Sequence, residues 1–169
     1  MVSRGRPVLL RPARAEDAGA IAEIWRLGWR DGHLGLVPQA LVDVRTAASF
    51  ATRASERVPD TTVATVEGAV AGFVMVVDDE VEQVYVAATH RGTGVATILL
   101  DEAERRVGGN GHAKAWLAVV AGNARARRFY AREGWSDAGP TDYPAEIPGG
   151  TLVVQTQRYE KTLTTEGAP

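Results

Sequence analysis

A chain of 169 residues, 45% hydrophobic and 24% charged, has the size and composition of one globular domain with a sizeable core. Its formal net charge of −2 leaves no electrostatic footprint for nucleic acid, and the lack of cysteine excludes disulfides, thiolate metal sites and a cysteine nucleophile. Three scattered histidines without a His-Glu-x-x-His spacing offer no metal site, no apolar run reaches the roughly 18 residues of a membrane helix, and no apolar signal core follows the N-terminal arginines, so a cytoplasmic protein without membrane contact is expected.

Residues 8–12 (Val-Leu-Leu-Arg-Pro) predict a short first strand. Ala15-Glu16-Asp17 place acids in the first turn of a helix, where the dipole favours them, and Ile21, Ile24, Trp25, Gly28 and Trp29 recur at helical spacing as its buried face. Asp31-Gly32 should break that helix, with 33–38 a loop and Pro38 opening a short helix. A further helix is expected over about 46–57, with Ala47, Phe50, Ala51 and Ala54 inward and Pro59-Asp60 ending it. Segments 61–66 and 70–77 are rich in β-branched residues and joined at Glu67-Gly68, a hairpin signal; Asp78-Asp79-Glu80 turn into a strand at 81–86. The next helix carries Val95, Ile98, Leu99, Ala103 and Val107 on one face and stops at Gly108-Gly109-Asn110-Gly111. A buried strand follows at 115–120, then a helix opened by Asn123, then late strands at 135–136 and 152–163. A Pro/Gly-rich loop with Asp142, Tyr143 and Glu146 is expected between those two, and the tail 164–169 reads as disordered. The whole chain is expected to be one domain, 1–169, with its core at about 8–163. The order implies an α/β fold: a single mixed, mostly antiparallel sheet with helices on both faces. A crossover helix makes strands 81–86 and 115–120 parallel neighbours.

The most informative stretch is Val84-Tyr85-Val86-Ala87-Ala88-Thr89-His90-Arg91-Gly92-Thr93-Gly94-Val95-Ala96. It reads as strand, glycine-bearing turn and first helical turn. Such a turn leaves several N–H groups unpaired at a helix N-terminus, aligned with the helix dipole, and so forms a phosphate site. The glycines let a large anion approach the backbone. A P-loop would need Gly-Lys-Ser/Thr, but Gly94 is followed by Val95 and Ala96. A dinucleotide fingerprint would need Gly or Ala at position 97, which is Thr. Arg91-Gly92-Thr93-Gly94-Val95-Ala96 instead resembles the Gln/Arg-x-x-Gly-x-Gly/Ala pyrophosphate loop of coenzyme A-dependent N-acetyltransferases. Residues 123–135 (Asn-Ala-Arg-Ala-Arg-Arg-Phe-Tyr-Ala-Arg-Glu-Gly-Trp) resemble the Asn-x-x-Ala-x-x-Phe-Tyr-x-x-x-Gly-Phe block of the GNAT N-acetyltransferase superfamily, with Trp135 in place of the last Phe. The likeness spans roughly 8–163, and its specific motifs fall within 81–135.

The resemblance implies a GNAT fold whose central parallel strands splay apart around the pantetheine arm of acetyl-CoA, the expected cosubstrate. Val84, Tyr85, Val86, Arg91, Gly92, Thr93, Gly94, Val95, Ala96, Thr97, Asn123, Ala126 and Tyr130 would then contact coenzyme A, with Arg91 adding charge and the Val84 amide, freed by a strand bulge, facing the thioester oxygen. Tyr130 matches the family's usual general acid, although a Phe-Tyr pair on an amphipathic helix also suits plain core packing. Asn123 would bond the pantetheine arm or cap its helix. Glu82, two residues before Val84, is the base candidate, acting through water; His33 is the second. Trp29, His33, Tyr143 and Glu146 lie on segments expected to rim the acceptor pocket and suggest an amphipathic amine, with a cationic one as an option. The expected activity is direct acetyl transfer, in a ternary complex, to a primary amine of a small molecule or peptide. An O-acyltransferase or longer-chain acyl-CoA enzyme on the same fold, and a non-catalytic acyl-CoA-binding module, are the alternatives. A homodimer is possible, as family members often dimerise.

Overall fold

The computed structural model describes residues 5–164, so the expected disordered tail lies, beyond Thr164, outside the described residues. The elements are β1 (Val8–Pro12), α1 (Ala18–His33), α2 (Gln39–Val44), α3 (Ala47–Glu56), β2 (Thr61–Val66), β3 (Ala69–Val77), β4 (Glu80–Val86), α4 (Val95–Gly109), β5 (Lys114–Val120), α5 (Ala124–Arg132), β6 (Ser136–Ile147) and β7 (Gly150–Thr162). They build one seven-stranded sheet in the order β1-β2-β3-β4-β5-β7-β6. Every neighbouring pair is antiparallel except β4–β5. The β2–β3 turn has Glu67 at φ 52° and Gly68 at φ 81°, positive at both central residues as a tight hairpin requires.

The sheet separates two cores. On one side α4 packs Val95, Leu99, Leu100, Ala103 and Val107 against Val74, Val76, Val81 and Leu117. On the other, α1 and α3 pack Ile21, Trp25, Trp29 and Phe50 against Phe73 and Met75, with Trp25 edge-on to Phe50 (5.6 Å) and Phe73 (5.9 Å). Alternation along the strands assigns each residue its side. Among the described residues no helix is long and apolar enough to cross a membrane.

Two expectations are corrected. Residues 137–147, read as a loop, continue the strand begun at Ser136 as β6, paired with β7 from Ser136↔Glu160 to Ile147↔Gly150. Gly139 sits at a register shift after Asp137, and β6 is an edge strand, where prolines such as Pro140 and Pro144 are tolerated because no second neighbour needs their N–H. Helix α1 also runs through Asp31-Gly32 to His33. Tertiary packing overrides the glycine there: a Cβ on Gly32 would lie 2.9 Å from Asn123 Nδ2, and one on Gly28 only 2.4 Å from the Tyr85 ring. His33 stacks on Trp29 at 4.6 Å and its Nδ1–H donates to the Trp29 carbonyl at 2.8 Å, which holds the last turn.

Candidate functional site

β4 and β5 meet at one register pair, Glu80↔Trp116, supported by Trp116 N–H donating to the Asp79 carbonyl at 3.1 Å. Beyond Glu80 the two strands part, and a cleft of about 920 Å³ opens between them. A β-bulge in β4 lies just past the point where the strands diverge. Val76 pairs with Val81 and Met75 with Gln83, so Glu82 is the extra residue of a β-bulge, which bends and twists the strand. The bulge implied by the family resemblance is thus present, two residues before Val84.

The cleft runs onto the start of α4. Gly94 caps that helix at φ 90° and Gly92 has φ 75°, a region that favours glycine, and a Cβ at either would meet nothing within 4 Å. Among the described residues the N–H groups of 92–97 donate to no acceptor; the first intrahelical-type bond is Ile98 N–H to the Gly94 carbonyl at 3.2 Å. Six consecutive free amides at a helix N-terminus form an anion cradle. Arg91 donates to Asp31 on α1 at 2.8 Å, and Thr97 Oγ1 donates to Glu133 at 3.0 Å. Thr93 and Val95 do not line the cleft with their side chains: the Thr93 hydroxyl donates to the His90 carbonyl and Val95 is buried under α4, so each offers only its amide.

The remaining expected residues converge on the same cleft: Val84, Tyr85, Val86, Ala96, Asn123, Ala126, Tyr130, Glu82, Trp29, His33, Tyr143 and Glu146 all line it. Val84 and Val86 pack against the α4-side core while Tyr85 packs on Phe73 (5.8 Å) on the other side. Asn123 Oδ1 accepts the Ala126 N–H at 3.2 Å, capping α5, while its Nδ2 faces Gly32. Tyr130 lies among Phe129 (5.3 Å), Tyr159 (6.1 Å) and Trp135 (6.3 Å), and burial pushes its hydroxyl up to about 12.

At the opposite end the walls are charged. Arg57 grips both Glu82 oxygens, at 2.5 and 2.8 Å, and also bonds Asp60 at 3.0 Å. Glu80 accepts the Tyr143 hydroxyl at 2.6 Å; burial raises the Glu80 carboxyl pKa, opposed by that bond, and burial and the Glu80 bond together raise the Tyr143 hydroxyl. Burial drives His33 down to about 4, against the pull of its bond to Trp29, so the ring is neutral at pH 7. Arg45 and Arg53 line the same end, with burial lowering both and Arg53 reaching about 10.

Glu80, Arg45, Arg53 and Arg57 escaped the sequence reading. Glu80 looked like turn. The arginines belong to helix ends or polar faces by pattern; the one available signal was Arg53 at i+3 from Phe50, on the flank of the inward face.

Residues 20–135 match the model of the acetyltransferase (GNAT) family. The fold is similar to that of a GCN5-related N-acetyltransferase from Rhodopseudomonas palustris (TM-score 0.72, 24% identity, covering 96% of this chain and 99% of that one). It is also similar to PaiA N-acetyltransferase from Thermoplasma acidophilum in complex with coenzyme A (0.69, 16%, 92% and 99%). YncA from Salmonella typhimurium with its cofactor acetyl-CoA is a third (0.66, 19%, 96% and 98%). No curated protein is significantly similar in sequence. With well over half its length matched by the family model, and with the strands and glycine turn arranged as described, the chain belongs to the acetyltransferase (GNAT) family.

Proposed function

We propose that the protein transfers acetyl from acetyl-CoA to a primary amine of a small molecule or peptide by direct attack in a ternary complex. The observation that carries this reading is the run of free amides at 92–97, opening into the gap where β4 leaves β5. The unfilled donors and the two glycines without neighbours fit a pyrophosphate, and the parted strands leave room for an extended arm. When bound, acetyl-CoA supplies a thioester carbonyl for attack and a thiolate leaving group.

Each remaining role falls to a residue of the chain. The β5-facing edge of β4 beyond Glu80 has no strand partner, and amides there, Val84 first, donate to the oxygen on which charge develops. Asn123 holds the arm from the α5 side. Tyr130 keeps its proton at neutral pH and offers it to the sulfur as the C–S bond breaks. The proton lost by the amine goes to the carboxylates on β4. Glu82 works through a water, because both its oxygens are engaged by Arg57; Glu80 keeps one oxygen free, and burial raises its carboxyl pKa, which favours taking up the amine's proton. Without cysteine, and with direct attack available, no covalent acyl-enzyme is required.

The test is turnover. Acetyl-CoA is mixed with polyamines, amino acids, aminoglycosides and peptides, and free thiol is followed alongside acetylated product. Thiol release that depends on an amine supports the reading. Tight acetyl-CoA binding with no amine-dependent thiol release across the panel would leave a binding module. Acetylation of hydroxyl compounds only would make it an O-acyltransferase.

A further inference from the structure

We propose that Arg45 and Arg53 form a carboxylate subsite at the acceptor end of the cleft, so that the amine acceptor is an amino acid or a close amino-carboxylate. This rests on the N-acetyl transfer reading above and names its substrate class.

Arg53 projects from α3 with its guanidinium 4.3 Å over the Trp25 ring and 5.8 Å from Phe50. Among the described residues it makes no hydrogen bond and no ion pair, and its Nη1 is completely buried without a partner. Arg45, at the C-terminal end of α2, donates through Nη2 to the Glu146 carbonyl at 2.6 Å, while its Nε is buried and unpartnered. An arginine carries five donors and no acceptor. Leaving a buried charged donor unsatisfied costs more than leaving a neutral one, and the two cations also oppose each other, each standing in a neighbourhood that burial has stripped of water. The acids nearby relieve them only across space: Glu146 attracts both arginines and Glu82 attracts Arg53, but among the described residues no carboxylate forms an ion pair with either. Glu82 is bound on both oxygens by Arg57, Glu80 is bound by Tyr143, and Glu146 meets Arg45 through its backbone carbonyl. His33 on the same wall is neutral.

Cations buried on a cleft wall without a carboxylate partner of their own are matched by an anion on the ligand. Both arginines line the cleft, and beyond the sealed Arg53 Nη1 and Arg45 Nε the remaining Arg53 nitrogens also have no protein acceptor among the described residues; guanidinium groups recognise carboxylates with geometric selectivity. The anion also settles orientation. With its acidic group held between α2 and α3, an amino acid presents its amine toward the carboxylates of β4. A cationic acceptor would instead bring a third positive charge beside Arg45 and Arg53.

The test has a binding arm and a turnover arm. In the first, 3-phenylpropanoate, acetate, the neutral 3-phenylpropanamide and inorganic phosphate are titrated calorimetrically into the full chain saturated with coenzyme A, so that the amide cradle at 92–97 does not compete for the anion. A carboxylate should bind at least about tenfold tighter than the amide, and Arg53→Gln and Arg45→Gln should each erase that preference. Arg53→Lys, which keeps the charge and loses the fork, should retain part of it and serves if Arg53→Gln fails to fold over Trp25. In the second arm, phenylalanine and 2-phenylethylamine, which differ by the carboxylate, are compared as acceptors. Their kcat/KM ratio should exceed about ten and collapse toward one in Arg45→Gln. Equal affinity for acid and amide, a preference that survives both glutamine variants, or tighter binding of phosphate than of either carboxylate would overturn the subsite. Arginine-dependent carboxylate binding without any acetylation would uphold the subsite and defeat the transferase reading. Acetylation indifferent to the carboxylate would do the reverse.

Discussion

At the α4 end of the cleft the groups available to a ligand are backbone amides; at the α2–α3 end they are side chains. The first set comes from one continuous segment, 92–97, placed by a strand, two positive-φ glycines and a helix start. The second is assembled from α1, α2, α3, β4 and β6, which bring His33, Arg45, Arg53, Glu80 and Tyr143 to one wall. A backbone site is fixed by the fold and binds what any chain with that turn can bind. A side-chain site can be rewritten residue by residue without disturbing the sheet. On the proposed function the two ends divide the labour: one takes the cosubstrate, the other the acceptor.

Tyr130 stands at the junction and should show the largest effect. Tyr130→Phe keeps the ring among Phe129, Trp135 and Tyr159 and removes only the hydroxyl, with its proton. Turnover should fall by about 10²–10⁴-fold with acetyl-CoA affinity preserved. A loss under about threefold would make Tyr130 a packing residue and leave water as the acid. The backbone end is broken most directly by Gly94→Val. The new side chain points into open space at φ 90°, so it blocks the anion and strains the turn by about 1–2 kcal/mol. Acetyl-CoA affinity, read by calorimetry on the folded variant, should drop about a hundredfold, given that each 1.4 kcal/mol is tenfold. Unchanged affinity would place the pyrophosphate elsewhere.

The side-chain end should respond to pH in a way amides cannot. His33 has its pKa lowered from 6.5 to about 4, so the unfolded chain binds the extra proton first, and stability is lost as pH falls from about 7 toward 4. By pH 5 the loss from this group should be about 2 kcal/mol, and His33→Asn should remove that slope in urea titrations at several pH values. Equal slopes would mean that His33 is not buried as described. The smallest effect separates the two carboxylates of β4. Glu80→Gln should cut kcat/KM about tenfold at pH 7 and recover above about pH 9, where solvent deprotonates the amine, while Glu82→Gln gives the shallower change. If Glu82→Gln gives the deeper loss, the water-mediated route through Glu82 carries the proton.

The same division explains what could be read from residues alone. The cosubstrate end was legible because Gly92, Gly94 and the apolar face of α4 are local, and local patterns survive without knowledge of the rest of the chain. The central parallel pair and its crossover followed from the order of elements. The acceptor end was legible only in part: Trp29, His33, Tyr143 and Glu146 were expected to rim it and line the cleft, whereas Arg45, Arg53, Arg57 and Glu80 were missed because their partners are far apart in the chain, Arg45 meeting Glu146 across 101 positions and Arg57 meeting Glu82 across 25. Strand β6 was hidden because Pro140, Pro144 and Gly139 carry turn chemistry that an edge strand tolerates. Gly32 was misleading in the opposite direction: read as a helix end, it marks where Asn123 presses on α1, as Gly28, correctly read as part of the buried face, marks where Tyr85 does.

The single bridge between β4 and β5 also has a thermodynamic meaning. It leaves the half-sheets β1–β4 and β5–β7–β6 joined by one rung and by what packs across their faces. A ligand lying in the gap replaces the missing rungs, so part of its binding free energy becomes cohesion of the sheet. At a hundredfold excess over Kd such a ligand adds about 2.7 kcal/mol to the folded state. The gain should be spread across both half-sheets as slower amide hydrogen exchange in β4 and β5, the strands whose facing edges otherwise open to water.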